Sequence, residues 1–339
     1  MKRRLGLVFE LRGSLANAAA GLPFDADARL PADADAEYEP EETIVALEEA
    51  ARAVGCEPVR LGSARDLLAA GERAALPPVD AALNIAEGYG TRNREAWAPV
   101  LLELLGIPAL GSDSLSLSLS LDKAWCRDVV AAAGVPVAPG LSVESLGEAK
   151  KFAKTNDYPL FVKPRWEGTA KGIGADSRAD DAGALRRVTE QILETYRQPA
   201  LVESFLPGAE YTVTVVGHAP PRVLPVLQRA LDPATGIGAH ALADEERSGE
   251  PQVVGGLDAA LEQNLGDLTL GVWRALRLRD FARADWKLNA DGLPCFLEVN
   301  PLPTFAPDGS FAILAELRGE TYESLVGGVI EDGLRRLGL

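Results

Sequence analysis

The sequence predicts an α/β (α+β) protein in three blocks, and three observations carry that reading. Short apolar runs alternate with amphipathic stretches through residues 1–121, the pattern of a mostly parallel sheet covered on both faces. An apolar run ending in a lysine, Leu160–Lys163, feeds directly into a loop bearing Gly168, Gly172 and Gly174. Two further runs, 280–288 and 294–299, flank a tight Asn289–Gly292 turn and read as a hairpin.

Taken in order, Leu5–Phe9 is the first strand. Pro40 to Val54 reads as a helix: Pro near its start, Glu41 and Glu42 in the first turn, Ile44, Leu47 and Ala51 on one face, Gly55 at the stop. Strands follow around Pro58–Leu61 and, after Pro77-Pro78, at Ala81–Ile85. Glu95–Leu105 is a second helix, ended by Gly106. The segment SDSLSLSLSLDK, Ser112 to Lys123, alternates with the period of a strand. Ser112 or Asp113 is nonetheless a good N-cap, and the apolar pattern runs on to Gly134 with Pro136 beyond, which predicts one helix over about 113–133. The second block, 122–212, adds a helix around 181–196 and strands Ala200–Glu203 and Tyr211–Val216, joined by a turn at Pro207-Gly208. The third, 213–339, holds a polar loop from Ala230 to Glu250, a helix around 257–275, the hairpin, and a last helix over about 321–337.

Composition excludes several functions. A chain of 339 residues buries about three quarters of its unfolded surface and needs no staples. The net charge of −16 argues against nucleic acid, whose phosphates demand clustered Lys and Arg. Cys56, Cys126 and Cys295 are odd in number and form no CxxC pair, so they make neither a disulfide framework nor a zinc site and suit a reducing cytoplasm. The N-terminal apolar run is too short for a signal peptide, and no segment approaches the roughly 18 apolar residues of a membrane span. From Asp25 to Glu42 there are eight acids and one Arg. This stretch reads as a solvated surface loop, with a lid over the sheet's carboxyl edge as the sharper alternative.

The chemistry concentrates in three places. In FVKPRWEGTAKGIG, Phe161 to Gly174, glycines let backbone N–H groups approach a phosphate while Lys163 and Lys171 supply positive charge, without the order of a Walker loop. In LVESFLPGAEYTV, Glu203 and Glu210 flank a turn and can accept from ligand hydroxyl or amino groups. In RADWKLNADGLPCFLEVNPLPT, Glu298 and Asn300 share one strand face, and hairpin pairing sets Asp285 opposite them, with Arg283 on the same face. Two carboxylates and an amide oxygen make a hard oxygen cage suited to Mg²⁺ carried by a nucleotide. Alternation assigns Leu297 and Val299 to the opposite, buried face. Neither His218 nor His240 fits a Ser/His/Asp triad, and His240 reads as a solvated or lid residue.

Taken together, GIPALGSDSLSLSLSLDK, the FVKPRWEGTAKGIG loop, ESFLPGAE and the RADWKL…FLEVNP hairpin resemble the ATP-grasp superfamily and, within it, the D-alanine–D-alanine ligase group, in order along about Ile85 to Phe305. The resemblance implies an ATP-grasp fold behind an N-terminal Rossmann-like domain. It implies that Lys123 and Lys163 contact ATP phosphates and that Glu203, with the backbone at Phe205 and Leu206, binds adenine, Leu297 being counted with this ATP-binding group. Glu210 would hold the ribose, and the Gly168–Thr169–Ala170–Lys171 turn would close over the phosphates, with Thr169 and Lys171 counted among the catalytic groups. Asp285, Glu298 and Asn300 would hold Mg²⁺ (or Mn²⁺), and Arg283 would meet the oxyanion during acyl transfer. It also implies a homodimer formed through the first block.

The chain departs from that family on the substrate side. The Gly-Gly-x-Ser-x-Glu pattern is absent, Leu15 standing where its Glu would fall and Glu10 offering a displaced substitute. A Lys-Tyr pair has no match in Gln228–Glu250. Thr304 takes a Gly position, and Ser310 lies near a Ser that receives the second substrate. Glu10, Glu87, Thr304 and Ser310 are therefore the substrate-side candidates. The expectation is an ATP-dependent carboxylate–amine ligase acting on small amino-acid-like substrates through an acyl phosphate, diverged in substrate. The alternatives are a D-alanine–D-alanine ligase proper and an ATP-binding protein without ligase activity.

Overall fold

Leu5, Leu7 and Val8 are all but inaccessible to solvent, which places the first strand, Arg4–Val8, inside a sheet with both faces covered. The computed structural model describes residues 2–15, 33–242 and 257–339. Arg4–Val8 pairs in parallel with Glu57–Gly62 on one side and Ala81–Asn84 on the other, and the short Ala109–Leu110 strand completes this first sheet. Helices Ala64–Glu72 and Trp97–Leu104 pack on one face through Leu67, Ala98 and Leu102. Helix Glu41–Ala53 covers the other with Ile44 and Leu47.

That second face is finished from the far end of the chain. Helices Ser310–Arg318 and Tyr322–Arg336 contribute Phe311, Leu314, Val326 and Ile330 to the same core. Gly327 makes the close crossing possible, because a Cβ there would stand 2.8 Å from Val54 and 3.3 Å from the Ala50 carbonyl. Fully buried Asp280 ties the return, accepting from Arg336 at 2.7 Å through both Nε and Nη2 and from the Gly111 N–H at 2.8 Å.

Two antiparallel sheets follow. The first orders Gly140–Val143, Ala200–Ser204, Leu160–Pro164 and Arg178–Ala179, backed by helices Leu146–Ala153 and Ala182–Thr195. The second orders Arg222–Val223, Glu210–Val216, Phe281–Leu288 and Pro294–Asn300, with Leu227–Arg229 also pairing on Glu210–Val216. Helices Lys123–Ala132 and Ala259–Ala275 fill its back with Val130, Leu265, Val272 and Trp273.

Several expectations need correction. The single helix over 113–133 is two, Ser114–Leu121 and Lys123–Ala132. Asp122 leaves helical geometry (ψ 89°) and caps the second helix by accepting from the Trp125 N–H at 3.1 Å, while Asp113 caps the first. The helix expected from Glu95 opens with a 3-10 turn, Arg94–Ala96, before becoming α at Trp97. Strands Ala200–Ser204 and Glu210–Val216 are joined through Pro207-Gly208, as the sequence implies, but do not pair with each other. They lie in different sheets, and the turn carries the chain from one to the other. Helices Ala64–Glu72, Leu146–Ala153 and Ser310–Arg318 and strand Gly140–Val143 had no counterpart in the sequence reading. The loop expected at Ala230–Glu250 and the acidic stretch Asp25–Glu42 lie partly outside the described residues, at 243–250 and 25–32.

Asp280→Ala strands a half-buried guanidinium and an amide at the junction of the chain's two ends. Unfolding free energy from urea titration is expected to fall by about 3–5 kcal/mol, the usual loss when one partner of a buried pair is removed.

Candidate active site

The Phe281–Leu288 and Pro294–Asn300 strands pair with Asp285 opposite Glu298 and Arg283 opposite Asn300. The register slips between Asp285 and Trp286, so that Trp286 faces Phe296 and Leu297 is left unpaired in a bulge. The bulge changes the alternation. Phe296 and Val299 pack into the core with Trp286, whereas Leu297 joins Cys295, Leu206 and Ala138 on the other side. The expectation that Leu297 and Val299 share a buried face is therefore wrong, and Leu297 lines a cavity beside Glu298.

That cavity lies between the two antiparallel sheets. Phe161, Phe205, Leu206, Phe296 and Leu297 form its walls, and Glu203, Glu210 and Lys287 supply its polar groups. The Phe161 and Phe205 rings lie 6.5 Å apart, and the Arg178 guanidinium sits 4.8 Å over Phe205. A flat apolar slot with charged groups at its rim suits an aromatic base. The Phe205 N–H donates to the Pro159 carbonyl at 3.1 Å, so its own contribution to a base falls to its ring and carbonyl.

Around the slot every buried acid has a cation. Lys163 Nζ is 3.1 Å from Glu203, Lys287 Nζ is 3.2 Å from Glu210, and Lys123 Nζ is 3.0 Å from Glu298. Lys123 also donates to the Glu167 carbonyl. Arg283 reaches Asp285 Oδ2 at 3.0 Å through Nη2. Burial alone would raise the Glu298 and Asp285 carboxyls, but Lys123 and Arg283 respectively hold them below the usual range. Glu210 goes the other way, burial outweighing Lys287.

Asp285, Glu298 and Asn300 are hard oxygen donors on adjacent strands, the set that a divalent cation takes. Among the described residues no cluster of three His, Cys, Asp or Glu forms a metal cage by itself. Two carboxylates and an amide fit an ion that arrives with phosphate oxygens completing its shell.

Sequence reasoning missed two groups here. Thr212, fully buried, donates to Asp285 Oδ1 at 2.6 Å and accepts from Arg229 Nε at 2.9 Å, because strand Glu210–Val216 lies between the strands carrying the two. The other group is Arg94 with Glu37 and Asp33. The acidic stretch is no solvated loop over 33–39: Tyr38 and Glu37 are buried, and Glu37 meets Arg94, Lys171 and the Gly168 N–H. Lys171, 4% exposed, lies between Glu37 at 2.6 Å and Glu167 at 2.5 Å, so its charge is engaged by protein carboxylates. The lid alternative for 25–42 was the available signal; nothing in the sequence linked Arg94 to it.

The substrate-side candidates fall beside this segment. Glu10 accepts the N–H groups of Glu87 and Gly88 at 2.9 and 3.3 Å. Thr304 donates to buried Glu39 at 3.1 Å, and the Glu39 N–H in turn donates to the Glu10 carbonyl. Ser310 is buried at the first turn of its helix. Leu15 packs with Ala34, Tyr38 and Tyr89. His240 stands 4.0 Å from Glu210, half exposed.

The family model for the D-ala D-ala ligase C-terminus matches residues 129–331. The chain belongs to the D-alanine–D-alanine ligase family. It is 31% identical to a D-alanine–D-alanine ligase of Desulforudis audaxviator over 241 residues, covering 70% of this chain and 76% of the relative. It is 30% identical over 260 residues to the uncharacterized protein y4sG of Sinorhizobium fredii, covering 75% and 74%. In structure it is similar to the VanG D-Ala:D-Ser ligase of Enterococcus faecalis, with a TM-score of 0.73 and 18% identity over 98% of this chain and 100% of that one. The fold is thus that of the D-alanine–D-alanine ligases, and the chain is an ATP-dependent ligase that forms C–N bonds. Among the described residues no helix is long and apolar enough to cross a membrane.

Burial raises the Glu10 carboxyl to about 7, against 4.5 for the ordinary group. Between those values the folded chain keeps a proton that the unfolded chain releases, so this contribution to stability falls as pH rises. Glu10→Gln is expected to gain stability relative to wild type between about pH 5 and about pH 8 in urea titrations. Parallel pH profiles of the two proteins would contradict a protonated Glu10.

Proposed function

We propose that this ligase activates an amino-acid-like carboxylate as an acyl phosphate and passes it to an amine, on substrates diverged from a pair of D-alanines. The observation that carries the reading is the convergence of Arg283, Asp285, Glu298 and Asn300 on two paired strands, facing Lys123 beside a base-sized slot.

Phe161, Phe205 and Leu297 would stack on the adenine, with Glu203 and the Leu206 backbone at its polar edge and Glu210 on the ribose. Lys123 and Lys163 would turn from their carboxylates toward the phosphates. The 168–171 turn, with Thr169 and Ala170 at its tip, would cover them and exclude water that would hydrolyse the acyl phosphate. Asp285, Glu298 and Asn300 would hold Mg²⁺ (or Mn²⁺), which offsets charge on the phosphates when bound. The carboxylate oxygen attacks the γ-phosphorus and ADP leaves. The amine then attacks the acyl carbon, phosphate leaves, and a proton is lost from nitrogen. Arg283 would donate to the tetrahedral oxyanion, a role typically worth about 2.7–4 kcal/mol of barrier.

Two contacts support divergence from D-alanine. Leu15 sits in an apolar cluster where an amino-group acceptor would be needed. Thr304 and the buried Glu39 face the region where a second substrate's carboxylate would otherwise be received. Glu10 and Glu87 then stand as the substrate-facing acids of the first block. The three buried, unpaired cysteines suit work in a reducing cytoplasm, and a homodimer through the first block completes the proposal.

Phosphate release with MgATP, offering D-alanine and then a panel of D- and L-amino acids and dipeptides, tests this reading. Silence with D-alanine and release with another acid–amine pair is expected; the D-alanine dipeptide as product would sink the divergence. Glu298→Gln should lower release on the order of 100-fold. Equal, slow ADP release by both proteins with every substrate would leave an ATP-binding protein instead.

A further inference from the structure

The acidic segment sends two carboxylates into the glycine loop, and together they grip it on both sides of its tip. Glu37 Oε1 accepts the Gly168 N–H at 2.9 Å and Arg94 Nη2 at 2.7 Å. Its Oε2 lies 2.6 Å from Lys171 Nζ. Asp33 Oδ2 accepts the Gly172 N–H at 3.1 Å and the Tyr196 hydroxyl at 2.8 Å. Arg94 adds a third hold, donating through Nη1 to the Trp166 carbonyl at 2.7 Å.

Between these grips the backbone is strained. Thr169 and Ala170 are left-handed, with φ of 48° and 57°. Neither has the short amide or carboxylate side chain that eases that conformation. Strain of this kind persists where the surroundings over-determine it. Here the surroundings are the loop's own short turns, Lys171 N–H to the Gly168 carbonyl and Ile173 N–H to the Ala170 carbonyl, both at 2.9 Å, and the two acids from another block. Burial would raise Glu37, but Arg94 and Lys171 bring its carboxyl down to about 2, so the grip is ionic at any ordinary pH. A larger residue at the first hold would press on the carboxylate itself, since a Cβ on Gly168 would stand 2.4 Å from Glu37 Oε1.

We propose that Glu37, seconded by Asp33, is a positioning residue that holds the 168–172 loop in the strained shape in which its tip covers the ATP phosphates. This rests on the reading above that the loop meets those phosphates. Glu37 acts through the loop and leaves the adenine slot, which lies between other residues, unchanged. Its removal therefore lowers affinity for a triphosphate while sparing a monophosphate.

Calorimetric titration of the full chain with ATP and with AMP, both with Mg²⁺, tests this on wild type, Glu37→Gln and Tyr196→Phe. Glu37→Gln is expected to weaken ATP by about ten-fold, in the range for lost supporting contacts, with AMP unchanged. Tyr196→Phe removes one hydroxyl from Asp33 without stranding a buried charge, and should weaken ATP by about two- to five-fold, again sparing AMP. Should Glu37→Gln fail to fold, Tyr196→Phe decides alone. Unchanged ATP affinity in the folded variants overturns the proposal, as does equal weakening of ATP and AMP. Tighter ATP binding by Glu37→Gln also overturns it, because Glu37 would then be competing with phosphate. If wild type binds ATP no better than AMP, the phosphate-loop reading itself fails and takes this one with it.

Discussion

Charge removed from water must be matched, and that requirement shapes the space between the two antiparallel sheets. An isolated carboxylate there would be protonated or would destabilise the fold. Lys163 answers Glu203, Lys287 answers Glu210, Lys123 answers Glu298, and Arg283 answers Asp285. The same pairs that make the site foldable set the terms on which it can work. A polyphosphate brings negative charge and a divalent ion brings positive charge, so each protein cation and each carboxylate can trade its partner for a ligand without any charge being left alone. A site built this way is stable when vacant and polar enough to receive a highly charged nucleotide, two demands that an unpaired set could not meet together.

Backbone irregularity does the aiming. A regular hairpin would turn Leu297 toward the core with Val299; the one-residue bulge after Asp285 brings Leu297 and Glu298 to the same side. One thus lines the cavity while the other reaches Lys123. The Pro207-Gly208 turn has a comparable effect on a larger scale, since it carries the chain from one sheet to the next and sets Glu203 and Glu210 on opposite walls of a single cavity. Close approach at this turn needs a glycine, because a Cβ on Gly208 would meet Leu288 at 2.6 Å.

How much of this was legible in the sequence follows from the range of the interactions. Helix Glu41–Ala53, with its acids at the start and Gly55 at the stop, and the 281–300 hairpin, with its Asn289–Gly292 turn, are written in neighbouring residues and could be read there. Helix Ala64–Glu72 is also written locally, in a Ser63–Asp66 capping box. The break at Asp122 was not, because Arg165 and Trp166, more than forty positions on, hold that carboxylate in place. The proposed metal donors are legible because period two puts Glu298 and Asn300 on one face. The Arg94–Glu37 pair, 57 positions apart, carried no local pattern, and the acids around Glu37 looked like any solvated stretch. Thr212 and Arg229 belong to the same class: ordinary strand residues whose importance comes from the strands beside them.

The first sheet's second face is closed by residues 310–336, the last helices of the chain. Protein synthesis is vectorial, and domains generally fold as they emerge. Here the side of helix Glu41–Ala53 around Ala50 and Val54, turned away from the sheet, waits some 270 residues for Gly327 and its neighbours to arrive. Loss of helix Tyr322–Arg336 would therefore leave that face of the first sheet open, although the sheet lies more than two hundred residues away in sequence.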